Sequence, residues 1–167
     1  SVGQNHDMTL VTWFLFGATW GWFLVTALLL SRVDFKEHRL PNFLVLTAYL
    51  GGLLGFGLIS YVQGDSGVLL QALVGSVFAV FAYLIIHVLG GMGMGDVKYA
   101  AVIGLYLGSL GWAYLYIGSL ISFGAAAMWV LPLMIGNRKT RSVPFGPFMA
   151  FGVLASGFIA LGVSATV

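Results

Sequence analysis

Long apolar runs separated by short polar breaks organise this chain. Residues 10–30 form one uncharged run, residues 42–61 and 68–89 form two more, 112–135 is a fourth interrupted by Pro132, and 147–167 closes the chain. About twenty apolar residues suffice to cross the ~30 Å hydrocarbon core as a helix. Between Asp96 and Trp112 lies a shorter apolar piece, "VKYAAVIGLYLGSLG". The break Gly108-Ser109-Leu110-Gly111 separates it from the next run, because one helix over 97–132 would be too long for a bilayer. The pattern predicts an all-α, polytopic membrane bundle with six transmembrane helices, forming a single membrane-embedded domain over residues 1–167. The piece from Asp96 to Leu110 spans only about 22 Å at 1.5 Å per residue, which is short for the hydrocarbon core.

Composition agrees with this reading. Hydrophobic residues make up 60% of the chain and charged residues 7%, and the mean hydropathy is +1.02. A soluble domain carries about 25% charged residues, so this chain has too little polar surface to face water alone. The lipid bilayer is its expected surrounding. The net charge of +2 includes no basic run suited to nucleic acid. Without cysteine, disulfides and thiolate metal sites are excluded, and the redox compartment stays open.

The basic residues set a sidedness. Arg32, Lys36 and Arg39 fall in the first predicted loop, Lys98 at the third, and Arg138, Lys139 and Arg141 in the fifth. All seven lie on one side of a six-helix chain. The positive-inside rule makes that side cytoplasmic and places both termini outside.

The acidic residues are few. Asp65, in "QGDSG", reads as a turn, and Asp7 as an outer polar residue. Asp34, in "SRVDFKEHRLPN", and Asp96, in "GGMGMGDVK", fall at helix ends at similar depth on the basic side. Each has a plain alternative: Asp96 alone serves as an N-cap, and Asp34 alone balances Arg32 or Arg39. Together they are able to approach. Two carboxylates in hydrogen-bonding range cannot both ionise easily, so one keeps a proton while the other stays charged. Such a pair activates a water and protonates a departing amine. That chemistry needs no metal and no cofactor. The glycine run before Asp96 lets backbone approach a neighbour closely and adopt positive φ. It lacks the lysine and hydroxyl of a phosphate loop and the spacing of a dinucleotide loop. His87 reads as a hydrogen-bonded packing histidine rather than a proton relay, and Trp112, Tyr114 and Tyr116 as an outer aromatic belt. Gly51, Gly52, Gly55 and Gly57, with Gly118 and Gly124 to Ala127, read as helix-packing positions.

These residues carry a family resemblance. "GMGMGDVK" resembles the GxGD-x-K motif of the prepilin peptidases, the intramembrane aspartyl peptidases of type IV pilus and type II secretion systems. "DFKEHRLPN" resembles that family's other aspartate motif, and "VPFGPFMAFG", from Val143 to Gly152, its C-terminal Pro-Phe-Gly-Pro-Phe segment. The resemblance implies that Asp34 and Asp96 are the catalytic pair. It implies supporting positions at Gly93, Gly95, Lys98, Pro41, Asn42, Pro144, Gly146 and Pro147. It implies a prepilin substrate, with a basic leader removed at the cytoplasmic boundary of an inner or cytoplasmic membrane. The Tyr-Asp and Pro-Ala-Leu motifs of presenilin-like proteins are absent. The long forms carry a cysteine-paired zinc insertion and a methyltransferase activity. This chain resembles the short forms of tight-adherence pilus systems and archaeal preflagellin peptidases, and methylation is not expected of it. A proton-coupled transporter or channel and a non-catalytic assembly subunit are the rival readings. The acids group near one face, against the first rival, and the aspartate pair is intact, against the second. Oligomeric state is left open.

Overall fold

The computed structural model describes the backbone of residues 2–37, 40–89, 92–135 and 145–166, and side chains within 9–36, 40–89, 92–130 and 145–163. Gly90, Gly91, His38, Arg39, Arg138, Lys139, Arg141, Val143 and Pro144 lie outside the described residues, as do the side chains of His6, Asp7, Glu37 and Pro132.

Among the described residues six helices follow one another: α1 (Val2–Glu37), α2 (Asn42–Gln63), α3 (Gly67–Val88), α4 (Met94–Leu110), α5 (Trp112–Ile135) and α6 (Gly146–Thr166). The described residues are otherwise short connections. Five helices are long and apolar enough to cross a membrane; α4, with 17 residues, falls short of that length. At 1.5 Å per residue α4 is about 26 Å long. The predicted bundle of six helices is the observed one, with boundaries displaced most at α1.

That displacement matters. The apolar pattern ends near Leu30, yet α1 runs on to Glu37, so Arg32, Asp34 and Lys36 sit on its last turns and not in a loop. No glycine or proline interrupts residues 22–40, and polar residues leave a helix intact once it has begun. Pro41 stops the run by steering the residue before it away from helical geometry. Pro132 does not interrupt α5, which continues through it to Ile135.

Helix α4 occupies the centre. It packs against α2, α3, α5 and α6, while α1 packs against α2 and α6. Residues 102–108 of α4 are all buried. Lipid offers no hydrophobic force to join helices, so close backbone approach and buried hydrogen bonds must do so. The α3–α4 pair uses both. A Cβ on Gly75 would lie 2.6 Å from the Gly104 carbonyl oxygen, and one on Gly108 2.6 Å from that of Gln71. Ser76 Oγ donates to the Ala101 carbonyl at 2.9 Å. The α1–α2 pair follows the same rule, with Gly51 under Trp22 and Gly55 under Thr19. The outer surface is the reverse: Leu54, Leu120, Met128 and Phe158 are each more than two-thirds exposed. A water-soluble protein does not carry so wide an apolar surface, and this is a multi-pass membrane protein.

The antiparallel helices bring one set of ends together. The ends of α1 and α3 and the starts of α2, α4 and α6 share it, as the contacts between Asp34 and Gly146, Lys98 and Asn42, and His87 and Met92 require. The opposite end holds the Asp65 turn, where the Gly67 N–H donates to Asp65 Oδ1 at 2.9 Å. Positive φ occurs there, at Gly64 and Gly111, and not at Gly93 or Gly95, so the expected left-handed backbone before Asp96 is absent among the described residues.

Replacing Gly104 with leucine should therefore unseat α3 from α4. Overpacking of this kind costs roughly 1–3 kcal/mol or more, and Tm in detergent should fall. Gly57→Leu, where a Cβ meets open space, should leave Tm within error.

Candidate functional site

The shared end is assembled from three helix starts. Phe145 caps α6: its carbonyl accepts from the N–H groups of Phe148 and Met149 at 3.1 Å each. Gly146 is thus the first residue of the helix and Pro147 the second, where a missing N–H leaves nothing unsatisfied. The free Gly146 N–H donates to Asp34 Oδ2 at 3.1 Å. Asp34 is buried, 5% exposed, on the last turn of α1, where the helix dipole disfavours a negative charge. The positive start of α6 offsets this. Only glycine fits opposite it, because a Cβ on residue 146 would lie 2.9 Å from Asp34 Oδ2.

Asp96 is placed by a second start. Gly93 is the extended N-cap of α4, with φ −74 and ψ 151. Asp96 is therefore third in the helix and not the cap considered from sequence. Its carboxylate turns back toward the cap residue, where a Cβ on Gly93 would lie 3.4 Å from Asp96 Oδ2, and the Gly93 backbone there favours its charged form. His87 steadies the connection ahead of it. Its Nδ1 lies 2.7 Å from the Met92 carbonyl oxygen; the carbonyl can only accept, so Nδ1 carries the proton. That is the packing role expected of His87.

The third start is that of α2. Pro41 is its N-cap, at φ −68 and ψ 125, and Asn42 follows. Lys98, one turn into α4, donates through Nζ to Asn42 Oδ1 at 2.9 Å. Two motif positions that looked independent thus tie α2 to α4. Leu40 fills the space between the other starts. A Cβ on Gly95 would meet its side chain at 3.5 Å, and one on Gly146 at 3.3 Å.

Asp34 and Asp96 are electrostatic neighbours. Asp96, at the helix start and outside the five long spans, has its pKa raised, first by burial and then by the negative charge of Asp34; the Gly93 hydrogen bond opposes both. Burial and a like charge both disfavour the ionised form of Asp96. Among the described residues no three His, Cys, Asp or Glu side chains group as metal ligands. A cavity of about 1000 Å³ lies at the other end of the bundle, between Phe16, Trp20, Gln63, Tyr114 and Phe158. It bears no acid, base or histidine and is not the chemical site.

Of the residues singled out from sequence, Asp34, Asp96, Gly93, Gly95, Lys98, Pro41, Asn42, Gly146 and Pro147 gather at this end. Pro144 lies outside the described residues. Leu40, Phe145, Tyr83 and Tyr99 were missed. Leu40 and Phe145 carried a signal, since each directly precedes a motif residue at a helix start.

Comparison with known proteins points the same way. The family described as the type IV leader peptidase family matches residues 21–131. A prepilin leader peptidase/N-methyltransferase of Aeromonas salmonicida is 33% identical over 154 residues, covering 84% of this chain and 50% of that protein. One of Pseudomonas aeruginosa is 34% identical over 167 residues, covering 95% and 49%. One of Legionella pneumophila is 33% identical over 149 residues, covering 84% and 47%. The chain spans about half the length of these curated relatives. No solved structure matches it.

If Asp34 and Asp96 share a proton, Asp34→Asn should lower the protonation midpoint of Asp96. Removing a like charge removes one upward push, while burial keeps the midpoint above the ordinary carboxylate value. The carboxyl stretch in infrared difference spectra, followed against pH, measures this. An unmoved midpoint would separate the two groups.

Proposed function

This chain belongs to the type IV leader peptidase family, and on that premise we propose that it is an intramembrane aspartyl endopeptidase that removes the leader of prepilins. The observation that carries the reading is the placement of two acids at one end of the bundle: Asp34, buried and accepting the Gly146 N–H, and Asp96, half-buried at the start of α4 and an electrostatic neighbour of Asp34. Prepilin as substrate follows from the names borne by the relatives.

The chemistry is divided between the two acids. Asp34, held by the Gly146 N–H, is the carboxylate that takes a proton from water as the water oxygen attacks the peptide carbon. Asp96, whose ionisation is opposed by burial and by Asp34, holds the proton that goes to the departing nitrogen. The protonation states belong to the pair, so rate should fall at both pH extremes. At low pH both acids are neutral and no base remains. At high pH both are ionised and no acid remains. The higher limb should lie above the ordinary carboxylate range, as the raised pKa of Asp96 requires. Lys98 and Asn42 clamp the α4 start and hold the acid in place. The charged and polar end faces the cytoplasm in this reading, with both chain ends outside and cleavage at the inner membrane boundary.

Purified protein, offered an apolar helical peptide with a basic leader, tests the assignment. Asp34→Asn and Asp96→Asn should each abolish cleavage, with the double variant little worse, as for residues that act as a unit. Gly146→Ala should cut the rate by about 10²-fold through displacement of Asp34, and Lys98→Ala by less. A folded Asp→Asn variant with near-normal cleavage would sink the paired-acid mechanism and return weight to a transport or assembly role.

Sidedness has its own measurement. A cysteine replacing the exposed Asp65 should react with a membrane-impermeant thiol reagent from outside intact cells. One replacing Lys139 should react only after the cytoplasmic face is opened, and the reverse pattern would overturn the orientation.

A further inference from the structure

Two buried phenols near the carboxylates have no part in the chemistry above. Tyr83, on α3, is 2% exposed, and Tyr99, on α4, is fully buried. Among the described residues neither hydroxyl has a hydrogen-bond partner. Leaving such a group buried and unpaired forfeits its hydration with nothing in return, and the large majority of buried polar side-chain atoms in native proteins are paired. A buried donor with nothing to donate to, beside a reaction site, points to a partner that arrives with the substrate.

Helix register fixes where Tyr83 lies. Along the antiparallel α3–α4 contact, Ala72 meets Gly108, and Gly75 and Ala79 meet Gly104. One further turn along each helix brings Tyr83 to the level of Val97 and Ala100, beside Asp96. Asp96 is accordingly an electrostatic neighbour of Tyr83. The ring is wedged between α5 and the start of α6, with its centroid 5.5 Å from that of Phe123 and 6.5 Å from that of Phe145. Phe145 directly precedes Gly146, the donor to Asp34. Tyr83 therefore stands between the two aspartate supports, on the same face of α3 as His87. Tyr99 differs: it lies near Asp34 and Tyr106, within the closed core of α4.

We propose that Tyr83 is a further catalytic residue, whose hydroxyl donates a hydrogen bond to the carbonyl oxygen of the peptide being cut. This rests on the peptidase reading of the site. When water oxygen bonds to the carbonyl carbon, the π pair of the carbonyl moves onto its oxygen. The ionised aspartate takes the water proton. The developing oxyanion lies among two carboxylates and needs a donor without a negative charge. A neutral phenol held by two aromatic neighbours, Phe123 and Phe145, supplies one without reorganising, and it keeps its proton throughout. When the C–N bond breaks, the neutral aspartate protonates the nitrogen and the pair returns from oxygen to carbon.

The test is Tyr83→Phe, which removes one oxygen and keeps the ring contacts. Wild type, Asp34→Asn and Tyr83→Phe are compared on the same leader-bearing apolar peptide, with Tm measured for each. Loss of an oxyanion donor costs about 10²–10³-fold in kcat, and that loss is expected with KM within about twofold and Tm not lowered. A peptide carrying a secondary alcohol in place of the scissile carbonyl, as a transition-state mimic, should lose affinity for Tyr83→Phe in parallel with kcat. 3-Fluorotyrosine at position 83, which restores a donor of similar size, should recover most of the rate. Tyr83→Phe with kcat within about threefold of wild type, while Asp34→Asn is inactive, overturns the role. So does a loss confined to KM, or one recovered by a shift of pH, which would make Tyr83 a positioning partner of Asp96. Should Tyr83→Phe fail to fold, a fluorine resonance of the fluorotyrosine protein that is unmoved when the alcohol-bearing peptide binds would overturn it as well. A wild type that cuts no such peptide defeats the peptidase reading first, and this role with it.

Discussion

The donation from the Gly146 N–H to Asp34 is the contact on which the aspartate-bearing end of the bundle depends. A buried carboxylate at the C-terminal end of a helix meets two penalties, desolvation and an opposing dipole. The start of α6 offsets both by supplying an unused N–H with its own positive end. For this, α6 must begin directly beside α1. The absence of a side chain at residue 146 permits the approach, and Pro147 fits the second helical position without losing a hydrogen bond. The stretch from Phe145 to Phe148 is thus a helix start shaped around an acid on another helix.

Depth at this end is set further along the bundle. Gly75, Gly104 and Gly108 let α3 and α4 touch backbone to backbone, and Ser76 locks their register through Ala101. Contact that close has few alternative registers, because sliding by one residue would drive side chains into carbonyl oxygens. The register fixes Tyr83 and His87 against the start of α4, and His87 in turn holds the Met92 carbonyl ahead of Asp96. Rigid packing in the middle of the membrane is therefore what gives a polar end its geometry.

Much of this was legible in the sequence. The helix count followed from apolar run lengths, and the split at Gly108 to Gly111 followed from bilayer thickness. The two aspartates were visible because acids are rare in so apolar a chain. Packing across helices was harder to read. Gly104 and Gly108 form a small-xxx-small pair as plain as that of Gly51 and Gly55, but a spacing names no partner, and only the fold pairs it with Gly75. The reach of α1 to Glu37 was hidden because hydropathy marks where lipid ends, not where a helix ends. Tyr83 and Tyr99 carried no signal at all. A tyrosine in an apolar run looks like any interfacial aromatic until its hydroxyl is found buried without a partner.

The location of the polar residues follows from the limits a membrane places on hydrogen bonding. Inside a membrane helix every backbone N–H is already bonded to a carbonyl four residues earlier, so a buried carboxylate finds no backbone donor there. Free N–H groups occur in the first turn of each helix. In a bundle of alternating helices, α2, α4 and α6 all begin at one end, and each contributes one of the three motifs: Pro41 and Asn42, Gly93 to Lys98, and Gly146 with Pro147. The motifs are far apart in sequence and similar in kind, since each is a helix start with glycine or proline where a side chain or an N–H would interfere. An acid that is buried and still accepts a backbone hydrogen bond, as Asp34 does, has only such an end to occupy. The opposite end, where α3 and α5 begin, lacks a second acid beside Asp65 among the described residues, and its cavity is lined mostly by aromatic and aliphatic side chains, with Thr9, Thr12 and Gln63 as neutral polar groups.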